Sequence, residues 1–232
     1  MEGTNVKVVI ILGPPGGGKD SQADILVREY GMTAVPSSQI IFKKVKENPD
    51  DPVIQEQVAR MKIGYLNDAT LTGRWIMEYV REELPKGKVL VFSGSPRTVT
   101  EGKVEIEELD ELVGLQRVVV ISLHLDAEAA RERILKRRYC RENKHSIPGT
   151  PEFRNVVTCP WDGSELYVRD LDDPTVLDKR FQEYQEHTLP TIALLKESGA
   201  PFFVVDGAQT IEGVHQDIAA ILERRAAPVP AM

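Results

Sequence analysis

The stretch from Val6 to Ser21 constrains this chain more than any other. Val6, Val8, Val9, Ile10, Ile11 and Leu12 form a nearly continuous apolar run. Such a run suits a strand buried on both faces of a parallel sheet, because a half-buried strand would alternate with polar residues. Gly13-Pro14-Pro15-Gly16-Gly17-Gly18-Lys19-Asp20-Ser21 comes next and leads into a helical pattern over 23–30. Its four glycines and two prolines let the backbone curl with N–H groups pointing inward, a concavity for phosphate oxygens at a helix N-terminus. The spacing is G-x-x-x-x-G-K in the strand-to-helix setting that a phosphate-binding loop requires, and Lys19 adds a point charge. One position departs from the motif: Asp20 stands where a Ser or Thr would ligate Mg²⁺, and Ser21 follows it. A carboxylate there repels a triphosphate unless a metal ion lies between them.

The remaining pattern alternates strands and helices. Strands are predicted over 32–35, 88–92, 117–125 and 201–206, and helices over 39–46, 53–63, 71–84, 128–138 and 214–224, with Ser37 or Ser38 capping the helix at 39. Alternation of this kind calls for a parallel sheet covered on both faces. Residues 141–166 break the rhythm with three prolines and two glycines. A long irregular stretch inside a compact domain, flanked by basic residues, is expected to be a functional lid. Residues 226–232 carry no core-forming pattern and are expected to fray.

Composition narrows the setting. A net charge of −7 argues against a general nucleic-acid or acidic-membrane binder, though it does not forbid a local basic pocket. Two cysteines, Cys140 and Cys159, cannot form a disulfide scaffold, so a reducing cytoplasm is the expected location. No stretch approaches a membrane span, and the first five residues are too short and polar for a signal peptide. Phosphoryl transfer needs charge neutralisation, alignment and exclusion of water more than it needs a covalent nucleophile. Lys19, Arg97, Arg133, Arg137, Arg169 and Arg180 are the cations available for that work, with Arg133 and Arg137 expected one turn apart on a helix.

Gly13 to Ala23, Gly94-Ser95-Pro96-Arg97-Thr98, Arg133 to Arg138, and Arg169 through Asp172-Asp173 to Arg180 stand in the order found in adenylate kinases. Over about residues 6–222 the chain resembles that family. The resemblance implies an α/β fold of the P-loop nucleoside triphosphate hydrolase type, three layers around a five-stranded parallel sheet. It implies a core of residues 1–36, 81–137 and 171–226, a monophosphate-binding insertion at 37–80, a lid at 138–170 and a flexible tail at 227–232. The implied reaction is phosphoryl transfer from Mg·ATP to a nucleoside monophosphate, AMP foremost, by a monomer.

Carried over by position, Gly16, Gly17, Gly18, Lys19, Asp20 and Ser21 would hold the ATP phosphates, Arg133 and the backbone near Gln209 its adenine, and Arg137 its phosphates. Ser38, Lys43, Gly94 and Arg97 would hold the monophosphate, Tyr65, Leu66, Asn67 and Glu101 would meet its base, and Arg169 and Arg180 would bridge donor and acceptor. Lys19, Arg97, Arg137, Arg169 and Arg180 would then be the catalytic cations.

Several positions depart from the family. Ser93 replaces an Asp that orients the Mg²⁺ waters, so Asp20, with Ser21, is expected to carry the ion. Ile40 replaces a polar residue, Lys43 an Arg, and Glu101 a Gln that reads the base. Adenine remains favoured through its amino group, with cytosine and other amino-bearing bases left open; the alternatives are a kinase for another monophosphate such as CMP or UMP, or an ATP-binding module that has lost catalysis. In the lid, Cys140-x-x-Asn143 and Cys159-x-x-Asp162 fall where many members have four zinc ligands. Asn143 is a poor ligand, so a polar network is expected ahead of zinc on Cys140, Cys159 and Asp162 with water or His145 as the fourth.

Overall fold

The protein is described here by a computed structural model that covers residues 5–143 and 145–226. The tail expected at 227–232 lies outside the described residues. In chain order the helices are α1 (Lys19–Tyr30), α2 (Ser37–Glu47), α3 (Pro52–Lys62), α4 (Ala69–Glu83), α5 (Val99–Val113), α6 (Ala127–Lys136), α7 (Pro174–Glu183), α8 (Leu189–Glu197) and α9 (Ile211–Ala226). The strands are β1 (Val8–Leu12), β2 (Thr33–Val35), β3 (Leu90–Ser93), β4 (Val118–His124), β5 (Arg138–Cys140), β6 (Ser146–Ile147), β7 (Leu166–Tyr167) and β8 (Phe202–Asp206).

Five strands form one parallel sheet in the order β2-β3-β1-β4-β8. The apolar run dictates its centre. Every residue of β1 is buried, and successive side chains serve opposite layers, as strand geometry requires. Val8, Ile10 and Leu12 join a cluster with Trp75, Ile76, Leu109 and Leu195 of α4, α5 and α8. Val9 and Ile11 join another with Ala23, Leu26, Ile218 and Leu222 of α1 and α9. Each such side chain taken fully out of water contributes about 1.5–3 kcal/mol, so reversing the register of β1 would forfeit both clusters. The three-layer α/β fold is the one expected.

Some local expectations change. Neither Ser37 nor Ser38 caps α2; Pro36 precedes it and no side chain caps it. The helix expected to run to 138 stops at Lys136, and Arg137 has extended backbone (ψ 143°) because the chain turns there into β5. Arg137 is the C-cap of α6, its φ of −70° still helical and its N–H still bonded to the Ile134 carbonyl, so it stays one turn beyond Arg133 while its ψ sends the following chain into β5. Part of the stretch expected to be irregular is a small antiparallel sheet, β6-β5-β7. Among the described residues, no helix is long and apolar enough to cross a membrane.

Candidate functional site

The phosphate loop is built as its glycines require. Gly16 and Gly18 have φ of 77° and 90°, and a Cβ on Gly16 would collide with the carbonyl of Ala130 in α6. The loop thus curls at the N-terminus of α1 and stays pressed against α6. Lys19 Nζ bonds the carbonyls of Gly13 and Pro14 at 2.9 and 2.7 Å. Desolvation, with Arg97, Arg180 and Arg137 nearby, lowers its pKa to about 8 despite the counteracting Asp20.

Three of the six cations gather on one acid that the sequence did not single out as an organiser. Asp172 has a fully buried carboxylate. It accepts from Arg137 Nη2 at 2.6 Å and Nε at 3.1 Å, from Arg169 Nε at 3.1 Å and from Arg180 Nη1 at 3.1 Å. Burial alone would raise its pKa, but the hydrogen bond and charge of Arg137, with Arg169 and Arg180, hold it below the usual range. Burial and mutual repulsion push Arg180 down to about 10. Tyr139 lies beneath the guanidinium groups of Arg169 and Arg137, at 4.8 and 5.4 Å from its ring centre.

Arg97 Nε bonds the Gly94 carbonyl at 2.5 Å, and Gly94 has a φ of 92°, a conformation that side chains rarely adopt. Arg133 reaches the carbonyls of Gly207, Ala208 and Gln209 at 2.7, 3.2 and 3.4 Å. Two clefts of about 920 and 1040 Å³ result. The first is lined by Gly16 to Gln22, Arg133, Arg137 and Gln209, and by Ser146 and residues 148–150 across from them. The second is lined by Ser38, Tyr65, Leu66, Arg169 and Glu183. Lys19, Asp20, Gly94, Arg97 and Arg180 line both. The two spaces thus meet over one cationic floor.

The family model described as Adenylate kinase matches residues 11–200. The chain is 31% identical to the adenylate kinase of Methanosarcina mazei over 93% of its length and 98% of that protein. It is 30% identical to the one from Archaeoglobus fulgidus over 93% and 98%, and 31% identical to the one from Syntrophotalea carbinolica over 92% and 97%. The chain belongs to the adenylate kinase family. As an adenylate kinase family member it is a nucleoside monophosphate kinase.

A smaller pocket of about 380 Å³ opens beside the second cleft, lined by Ser37, Ser38, Tyr65, Leu66, Asn67, Thr72 and Glu101 among others. Among the described residues, Asn67 Oδ1, Thr72 Oγ1 and Ser37 Oγ are buried there without a hydrogen-bond partner. Glu101 accepts from the Arg97 backbone N–H at 2.8 Å. Its burial, only partly offset by hydrogen bonds and charge from Arg97, raises its pKa to about 7. Lys43 does not join this group: its side chain is 72% exposed, with Glu47 3.8 Å away. It lies five residues beyond Ser38, which rotates it by about 140° around α2, away from the face that Ser38 gives to the pocket.

Asp20 takes a hydrogen bond from Ser93 Oγ to Oδ1 at 2.8 Å. Desolvation would raise its pKa, but Lys19, the Ser93 bond, Arg137 and Arg97 lower it. In the small sheet, Cys140, His145, Cys159 and Asp162 converge, their donor atoms all within 4.8 Å of one another. Both cysteines are free. Asn143 instead donates to Asp162 at 2.9 Å. Sequence reasoning also passed over Gly149, where a Cβ would collide with the Arg133 carbonyl; only a glycine lets this loop lie on the end of α6.

Proposed function

We propose that this protein transfers the γ-phosphoryl group of Mg·ATP to AMP, with ATP in the first cleft and AMP in the second. The observation that carries the reading is the floor common to both clefts, Lys19, Gly94, Arg97 and Arg180. A chain of phosphates bridging two nucleosides would lie along it. Bound Mg²⁺ would supply charge neutralisation on the donor phosphates.

The side chains have distinct tasks in this reading. The N–H groups of the Gly16–Gly18 loop and Lys19 hold donor phosphates, and Arg133 with the Gly207–Gln209 backbone borders the donor base. Arg97 and Arg169 hold the acceptor phosphate. Arg137 and Arg180, aligned by Asp172, face the charge that spreads over the transferring group, where one well-placed arginine is worth about 10³–10⁵ in rate. Residues 138–170 act as the lid. Its closure over the first cleft excludes the water that would otherwise hydrolyse ATP.

One observation favours a second acceptor, CMP. Glu101 presents a carboxyl to the base pocket, and in the ionised form that prevails above about pH 7 it accepts hydrogen bonds from an exocyclic amino group. ADP formation measured over AMP, CMP, UMP and GMP tests the assignment: AMP is expected to give the highest kcat/KM and CMP the next. Turnover unaffected by every monophosphate would refute the kinase reading.

For the lid, the donor geometry supports zinc on Cys140, His145, Cys159 and Asp162. Four of the donor-to-donor distances run from 3.2 to 3.5 Å. A tetrahedron with zinc–ligand bonds of about 2.0–2.3 Å has edges of about 3.3–3.8 Å. His145 takes the place that Asn143 could not fill. Metal analysis of the purified protein is expected to give one zinc per chain, and chelation to lower the melting temperature. A metal-free protein whose stability ignores both zinc and chelator would leave only the polar network.

A further inference from the structure

Asp20 is out of keeping with its surroundings. It lines both clefts, where Lys19, Arg97, Arg137 and Arg180 supply positive charge for phosphates, and a carboxylate there repels the groups that these cations attract. Lys19, Arg137 and Arg97 act on it through charge, but at a distance. Among the described residues Asp20 makes no ion pair within 4.0 Å, and the adjacent Lys19 Nζ is committed to the carbonyls of Gly13 and Pro14. Among the described residues, the side-chain hydrogen bond that Asp20 takes comes from Ser93 and falls on Oδ1. A carboxylate that lines a polyphosphate channel without a direct ion pair has a clear use if a divalent cation comes in with the polyphosphate.

We propose that Asp20 is the carboxylate anchor for the Mg²⁺ that accompanies ATP, carried on the phosphate loop and supported by the hydroxyl of Ser93 at the end of β3. The proposal rests on the donor-cleft reading given above. Mg²⁺ is held by one or two carboxylates together with phosphate oxygens and water. Asp20 brings the carboxylate, Ser21 lines the same cleft with a hydroxyl, and the phosphates come with the substrate. The ion converts the repulsion between Asp20 and phosphate into a bridge. Ser93 contributes by fixing one carboxylate oxygen.

The 2.8 Å contact also brings the tips of the two side chains to nearly the same point from different elements. A carboxylate carried on residue 93, facing a hydroxyl on residue 20, should therefore reach the same place. The arrangement is exchangeable in principle, and that makes it testable.

The probe is Mn²⁺, titrated by electron paramagnetic resonance into the full chain with ATP bound, alongside calorimetry of ATP with and without Mg²⁺. Asp20→Asn keeps the size and an acceptor for Ser93 but removes the charge. Its ATP complex is expected to bind Mn²⁺ about 10–100-fold more weakly, while metal-free ATP binds as well as before or better. The exchange variant Asp20→Ser/Ser93→Asp is expected to recover most of the lost Mn²⁺ affinity, which a general loss of structure could not do. Unchanged Mn²⁺ affinity in Asp20→Asn would overturn the proposal. So would an exchange variant with wild-type melting and no recovery. A wild-type protein that fails to bind ATP at all would instead remove the donor-cleft reading, and the anchor with it.

Discussion

Glu101 is buried to 3% exposure at the first turn of α5, with Arg97 beside it, Asp68 across the pocket and Glu105 one turn further on. Its pKa rises from 4.5 to about 7, chiefly through loss of water. The folded protein therefore binds more protons at this site than the unfolded chain between those two values, and stability falls as pH rises through that window. Below about pH 4.5 both states hold the proton, and above about pH 7 neither does, so the loss levels off. At 1.36 kcal/mol for each pH unit, the full penalty is about 3 kcal/mol. Glu101→Gln removes the titration while its amide oxygen can still accept from the Arg97 N–H. Urea unfolding of both proteins should then show the variant gaining on the wild type by about 2–3 kcal/mol between about pH 5 and pH 8.5. A stability gap that does not change with pH would refute the reasoning. A gap that widens toward acid would mean that the carboxylate, not the acid, is the form the fold prefers.

Asp172→Asn should cost about 3 kcal/mol, because the guanidinium groups of Arg137, Arg169 and Arg180 lose their shared counter-charge. ATP should raise the melting temperature of that variant more than that of the wild type, since phosphate replaces the missing anion. Lys43→Ala should change KM for AMP less than about twofold, in keeping with a solvated surface charge, whereas Arg97→Lys should raise it more than about tenfold by losing the planar fork. With Lys19 near pKa 8, ATP binding at about pH 8 should take up about half a proton; calorimetry in two buffers of different ionisation enthalpy measures it, and proton release would contradict it.

The sequence exposed those features whose local chemistry is unambiguous. β1 is apolar at every position because both its faces are covered, and the loop after it needs glycine for positive φ, so both could be read directly. α5 was hidden for the opposite reason. Its buried face includes Glu101, Gly102 and Glu105 beside Leu109, so burial there does not coincide with apolarity. The strands of the small sheet have two or three residues, too few for alternation to register. Arg137 sits in a run of helix-favouring residues, and only the turn into β5 removes it from α6. Lys43 was assigned by position in a resemblance, and in the structure its side chain is exposed beside Glu47. Asp172 is one acid in the run Asp170-Leu171-Asp172-Asp173. Nothing local separates it from its neighbours, and its role arises from three arginines distant in sequence or separated by a turn.

Those arginines explain why the site carries its own acids. Lys19, Arg97, Arg137, Arg169 and Arg180 share half-buried space, and the depressed values of Lys19 and Arg180 reflect burial first and the repulsion of neighbouring cations after it. Asp172 relieves that repulsion permanently from beneath, where it is fully buried and cannot compete for the substrate's place. Asp20 lies on the exposed side and would compete, unless a divalent ion arrives with the nucleotide. The two acids thus divide the electrostatic work by depth. The buried one keeps the guanidinium groups aligned, and the exposed one, already held as a carboxylate by Lys19, the Ser93 hydroxyl, Arg137 and Arg97, would on the proposed anchoring also meet a divalent ion that arrives with the nucleotide. On the proposed anchoring such a site would favour the metal-loaded donor over the bare one, because the bare phosphates meet a carboxylate with no ion between them.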